Sequence, residues 1–348
     1  MTAPDRRATS AEDALALAQR AGIHTIAVPT PFLVGRVNCY LIEDDPLTLI
    51  DTGPNSGKSL DDLERALNAQ GRRIEDLELI VVTHQHMDHL GLLEILARRS
   101  GAQVAALAEL GPYLADFPRS ATADDEFAQA VMRRHGVPDD LATVLGSLAA
   151  AFRAFGSSGS VTHPLRDGDQ LELRDRTLRV FHRPGHSPSD TVLYDEERGI
   201  VIAGDHLLAH ISSNPLISRP LADPPTTGGQ VGRRPRALLQ YMESLRETRE
   251  LPARLVLGGH GDPVLDHSAL IDERLRMHRR RAARVLQILD GQALSAYEIA
   301  LRMWGNVAVT QAYLTLSEVL GHLDVLVEAG QAIEREADGT ARFEAVAL

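Results

Sequence analysis

The chain of 348 residues has one cysteine, Cys39, so no disulfide framework can form within it, as suits a reducing compartment. It has no apolar run near the roughly 18 residues that a membrane span requires. Met1 to Gly22 alternates charged residues with alanines and lacks the uninterrupted apolar core of a signal peptide. A soluble, cytoplasmic protein without a membrane partner is expected. Basic residues are the minority: 36 Lys and Arg against 48 Asp and Glu leave a net charge of −12. That disfavours nucleic-acid binding in bulk, which relies on concentrated Lys and Arg. No G-x-S-x-G elbow is present, so a serine nucleophile of that type is excluded. With 44% hydrophobic and 24% charged residues the composition is that of an ordinary globular chain.

Against these absences stands one dense stretch, Thr83-His84-Gln85-His86-Met87-Asp88-His89. It follows Leu79-Ile80-Val81-Val82, a short β-branched run that reads as a buried strand. A helix is predicted to start at Leu90, which places the four candidate ligands on a strand-to-helix loop. Imidazole nitrogens with a carboxylate suit zinc or a similar first-row ion. Three later positions repeat the pattern of an apolar strand, a glycine and then a ligand. They are His186 after Arg183-Pro184-Gly185, Asp205 after Ile200 to Gly204, and His260 after Leu255 to Gly259. The Pro184-Gly185 pair is expected to end strand pairing and let the backbone approach a metal.

The motif H-x-H-x-D-H resembles the signature of the metallo-β-lactamase superfamily, hydrolases with an αββα sandwich that include glyoxalase II. The resemblance implies two metal ions. His84, His86 and His186 match the first site, and Asp88, His89 and His260 match the second, with Asp205 as the bridging carboxylate. Leu49-Ile50-Asp51-Thr52-Gly53 matches an early turn whose aspartate supports the ligands without being one. His182 and His206 are expected to point away from the metals, whereas His210, opening a long loop, is a candidate substrate contact. His24, His135, His163, His267, His278 and His322 lack a strand-end setting and read as packing or surface residues.

The chain divides into a catalytic domain, residues 1–267, with a helical insertion at about 110–156, and a C-terminal domain, residues 268–348. Helices are predicted over Ser59 to Gln70, Glu126 to Arg134 and Asp140 to Phe155, the last two forming a wall or lid. Ile211 to Arg236, with its prolines and Gly228-Gly229, reads as a long loop bordering the metals. In the tail, helices at Ser268 to Leu289, Ser295 to Trp304 and Gln311 to Ala329 precede a hairpin turning at Asp338-Gly339. That order looks like a winged helix. With Gly261-Asp262-Pro263-Val264 after the last ligand, it resembles the β-lactamase-like protein 2 branch of the superfamily. Arg274, Arg276, Arg279, Arg280, Arg281 and Arg284 crowd one helix, but no aromatic residue interleaves as a stacking platform. Packing, dimerisation or substrate shielding is the expected role of the tail. Because all seven ligands lie at or before His260, the tail is expected to be removable without loss of metal.

The implied chemistry is hydrolysis by a hydroxide bridging two divalent ions, zinc first, with manganese, iron or cobalt also suited. Asp88 would orient that hydroxide or relay its proton. Because a bridging aspartate is typically absent from the β-lactam hydrolases of this fold, Asp205 points to the glyoxalase II-like and phosphodiesterase-like members. The acidic net charge suits polyanionic RNA poorly and makes thioesters, esters or lactones the first choice. A phosphodiesterase or single-strand ribonuclease is the alternative. A non-catalytic, metal-binding winged-helix regulator is the reading from another class.

Overall fold

A computed structural model describes residues 10–221 and 234–346. Two sheets form its middle. Sheet one runs in the order β1 (Ile23–Val28), β2 (Val37–Ile42), β3 (Thr48–Ile50), β4 (Leu79–Val81), β5 (Gln103–Leu107), β6 (His163–Leu165). Its first three strands pair antiparallel and the rest parallel. Sheet two is β7 (Gln170–Glu172), β8 (Thr177–His182), β9 (Thr191–Asp195), β10 (Ile200–Gly204) and β11 (Leu255–Gly258) in sequential order. Only β10 and β11 pair parallel.

Strand side chains alternate between faces, and here both faces are apolar. Tyr40, Ile42, Ile50 and Val81 meet Leu178, Val180, Ile200 and Ile202 between the sheets. The intervening residues face outward into two further cores. Cys39, Leu41, Leu49 and Ile80 share a core with Leu63 and Leu67 of α2 (Gly57–Ala69), and with Leu93 and Leu96. Val192, Tyr194, Val201 and Val256 pack with Leu238, Tyr241 and Leu245. Two sheets covered by helices on each side make the expected αββα sandwich.

In chain order the helices are α1 (Ala11–Arg20), then α2, α3 (Met87–Leu90), α4 (Leu93–Ser100), α5 (Gly111–Ala115), α6 (Phe117–Arg134) and α7 (Asp139–Phe152). They continue as α8 (Ala237–Arg249), α9 (His267–Leu289), α10 (Ala296–Trp304), α11 (Val307–Thr310) and α12 (Ala312–Glu328). Several differ from the sequence expectation. A helix begins directly after His86, whose carbonyl accepts from the His89 and Leu90 N–H groups. Asp88 and His89 therefore sit on the one-turn α3, not on a loop. Helix α6 starts well before Glu126, because Asp116 caps it and Pro118 is tolerated in its first turn.

The tail has the predicted helices and hairpin, plus the unforeseen α11 and a third strand. β12 (Leu294–Ser295) pairs with β14 (Thr340–Ala345), which pairs with β13 (Ala332–Ala337). Asp338 and Gly339 both have positive φ, as a two-residue type I′ turn demands. The tail does not pack alone. Val285, Leu316, Leu320 and Phe343 share a core with Val131, Met132 and Ala142 of α6 and α7, and with Ile217. Of the predicted 211–236 loop, residues 222–233, including Gly228-Gly229, lie outside the described residues. Among the described residues no helix is long and apolar enough to cross a membrane.

Candidate metal centre

The ends of β4, β8, β10 and β11 converge at one rim of the sandwich. His84 and His86 follow β4, with Asp88 and His89 on α3; His186 follows β8, Asp205 follows β10 and His260 follows β11. All seven predicted ligands meet there. They form three overlapping groups: His84, His86 and His186; His84, His89 and Asp205; Asp88, His89 and His260. His84 Nε2 lies 3.0 Å from His86 Nδ1, which lies 2.9 Å from His186 Nε2. In the other half, His260 Nε2 is 3.3 Å from Asp88 Oδ2 and 3.4 Å from Asp205 Oδ2. Asp205 stands between the halves, 3.4 Å from His89 Nε2 and 3.6 Å from His186 Nε2.

These separations fit a cation. Donors about 2.1 Å from a tetrahedral zinc ion stand about 3.4 Å from one another. His89 Nε2, His260 Nε2 and Asp205 Oδ1 are buried, point into the cage and have no hydrogen-bond partner of good geometry. Buried polar atoms are rarely left so without a ligand to meet them. Electrostatics agree. Burial opposes a charge on His89, but Asp205, Asp51 and Asp88 outweigh it and raise its pKa well above the ordinary value. Burial likewise opposes a charged His260, which Asp205 and Asp88 lift to about 9. Burial, helped by the neighbouring histidines, holds His84 well below the ordinary range, and His86 falls to about 3. One half thus offers neutral imidazoles, and the other a field that favours positive charge.

Each candidate-ligand histidine except His86 has its second ring nitrogen held. Asp51 Oδ2 accepts from His89 Nδ1 at 2.7 Å, while its two oxygens also take the Thr83 N–H and hydroxyl at 2.8 Å. Asp51 has φ 59°, a left-handed conformation costing about 1–3 kcal/mol in a non-glycine residue. The Thr83 hydroxyl lies 3.0 Å from His84 Nδ1, and His260 Nδ1 reaches the Arg36 carbonyl at 2.8 Å. His186 Nδ1 is 3.2 Å from the carbonyl oxygen of Asn214. Such contacts fix which nitrogen faces the cage.

The glycine expectation needs correcting. A Cβ on Gly185 would lie 2.4 Å from the Tyr241 Cα, so Gly185 serves the packing of α8 and not a metal approach. Gly259 is the close-approach residue, since its Cβ would come within 2.3 Å of Asp205 Oδ1. His206 turns away to Thr248, and His182 bonds the Pro188 carbonyl. His210 is exposed and paired with Asp262. Sequence reasoning missed Thr83, Asn214, and the Gln85–Ser189 pair, in which the Ser189 hydroxyl also takes the Gln85 N–H. Of these, only Thr83 had a signal, its place beside His84.

Comparisons with known proteins bear on the chain as a whole. The family model for the metallo-beta-lactamase superfamily matches residues 33–260. A probable metallo-hydrolase of Bacillus subtilis, YqjP, is 36% identical over 308 residues, covering 88% of this chain and 92% of that one. A crystal structure of a metallo-beta-lactamase family protein from Thermus thermophilus superposes with a TM-score of 0.77 at 27% identity, covering 93% of this chain and 99% of that one. A much shorter match, 49% identity over 41 residues, links 12% of this chain to 15% of the human acyl-coenzyme A thioesterase MBLAC2. The chain belongs to the metallo-β-lactamase superfamily and is a metallo-hydrolase.

Proposed function

We propose that the protein is a two-metal hydrolase of carboxylic-acid derivatives: thioesters, esters or lactones. The observation that carries the two-metal part of this reading is the position of Asp205, which touches donors in both halves of the cage. The choice of acyl substrates is supported by charge and by a short sequence likeness. His84, His86 and His186 would hold one ion and Asp88, His89 and His260 the other, with Asp205 shared. Zinc suits the imidazole-rich donors best. Two such ions supply activated water at neutral pH and polarise a carbonyl oxygen.

The protein's own residues set the rest. Burial raises the pKa of Asp88, but His89 and His260 outweigh it and keep it a carboxylate, ready to orient water or accept a proton. His86 and Met87 are partly exposed and mark where substrate enters. Net charge of −12 disfavours a polyanion over a small acyl compound. The short likeness to an acyl-coenzyme A thioesterase supports the same choice. The tail's order of helix, strand, helices and hairpin supports the winged-helix reading and its branch resemblance.

A phosphodiesterase is the second reading, favoured by Arg276, Arg279, Arg280 and Arg284, which are exposed along α9. By contrast, Arg274 is buried against the Leu208 and Ala209 carbonyls, and Arg281 pairs with Glu318. A panel of thioesters, lactones, aryl esters, phosphodiesters and β-lactams, run on the metal-loaded protein, decides. Carboxylic-acid derivatives should lead. Faster cleavage of single-stranded RNA, suppressed selectively by Arg279→Ala with Arg280→Ala, would replace this reading with the nuclease.

A further inference from the structure

Among the ligand histidines whose second nitrogen is held, His186 alone leans on a long loop. His84 and His89 are oriented through Thr83 and Asp51 at the ends of sheet-one strands, and His260 through a carbonyl just before β2. The partner of His186 is the carbonyl of Asn214, in the stretch after Asp205. That stretch is fastened at the same place to the bridging carboxylate's backbone, because the Ser213 hydroxyl donates to the Asp205 carbonyl.

The sandwich adds the Leu216 N–H bonded to the His186 carbonyl, α6 adds Asp124 paired with Arg219, and the tail holds the same stretch from its other side. Asn214 Nδ2 donates to the Leu314 carbonyl at 3.2 Å, and the Ser317 hydroxyl takes the Ile217 N–H at 3.4 Å. The Tyr313 hydroxyl donates to the Ile217 carbonyl. The Ile217 side chain is buried in the tail's core. Farther on, Arg234 makes two bonds to the Asp324 carboxylate, at 2.6 and 2.8 Å, and Arg236 pairs with Glu328. Tyr313, Ser317, Asp324 and Glu328 recur near the helical repeat of about 3.6 residues and so share one face of α12. That face is given to the stretch on both sides of residues 222–233.

We infer that α12 is a positioning element of the metal centre: Tyr313 and Ser317 pin residues 213–217 so that the Asn214 carbonyl fixes His186. The tail then tunes the His84, His86 and His186 half and leaves the Asp88, His89 and His260 half to the sandwich. This reverses the expectation that the tail is separable from the metals. It rests on the two-metal reading above.

The physical basis is local. An imidazole that donates Nδ1–H to a carbonyl presents Nε2 as the ligand atom, in one tautomer and one ring orientation. Loss of such a partner typically weakens metal binding about 10- to 100-fold. Tyr313 and Ser317 act at one remove, through Ile217, so the lower end of that range is expected.

The test is zinc binding to metal-free protein, measured by chelator competition in the full chain. Compared are the parent, His186→Ala, Tyr313→Phe with Ser317→Ala, and Phe343→Leu. The last loosens the same tail core at β14, where Phe343 stacks on His135, and changes neither Tyr313 nor Ser317. The double variant should weaken by about 10-fold the same binding step that His186→Ala abolishes, and leave the other step unchanged. Phe343→Leu should lower the melting temperature and alter neither step. Parent-like zinc binding in the double variant would overturn the inference. So would equal weakening by Phe343→Leu, which would reduce the tail to general support. A parent that takes up no zinc would overturn the metal reading itself, and is recognised before any variant is compared.

Discussion

The two halves of the cage are built differently. Asp88, His89 and His260 are aimed by the sandwich: α3 follows closely on β4, Asp51 holds His89, and the Arg36 carbonyl holds His260. His84 shares that support through Thr83. His186 follows an irregular turn and is held by a loop carbonyl, itself anchored on α12. The difference teaches that one half of such a cage stands directly on strand ends, while the other leans on the tail through a loop. Catalytic side chains on strand ends are placed by the same burial that forms the sheets.

Breaking both halves together should have the largest effect. Asp205→Ala removes the carboxylate shared by them, and nearly all turnover should disappear, together with at least one ion per chain. Circular dichroism should stay unchanged, since Asp205 lies beyond the end of β10. A variant that keeps its metal and its rate would contradict the bridging role.

Asp51→Ala acts chiefly on the sandwich half, reaching His84 of the other half only through Thr83. It strands His89 Nδ1 and the Thr83 donors in a buried setting, so stability should fall by about 1–3 kcal/mol. Metal affinity at that half should drop about 10- to 100-fold, more than in the Tyr313 and Ser317 pair that touches the other half. Denaturant titration and chelator competition on the same preparation separate the two losses. Equal affinity in parent and variant would sink the orienting role. His182→Ala supplies the small end of the scale, because its contact is a single carbonyl outside the cage. It should leave the rate and both metal steps unchanged, and a loss like that of Asp205→Ala would mean the ligands are misassigned.

The sandwich half was legible in the chain because its signals are local. An apolar run announces each strand, and the ligand stands within a few residues of the strand's end. Asp51 was legible for the same reason, standing between Ile50 and Gly53. The one-turn helix α3 was not, because four residues carry too little periodicity to show. The supports of His186 were also hidden. A backbone carbonyl has no sequence signature, and the pairs Asn214–Leu314 and Arg234–Asp324 join positions far apart in the chain. Asp324 and Glu328 of α12 are occupied by Arg234 and Arg236, pairings that no local pattern in the chain announces. The shared core of the tail with α6 and α7 was equally beyond a reading that divided the chain at residue 267.

The measurement that bears most directly on the whole account is the metal content of the purified protein after exhaustive dialysis, set against its hydrolytic rate. Seven converging donors in two overlapping halves call for close to two divalent ions per chain, zinc foremost. Stripping them should abolish hydrolysis, and restoring them should return it. A metal-free protein with undiminished activity would contradict it.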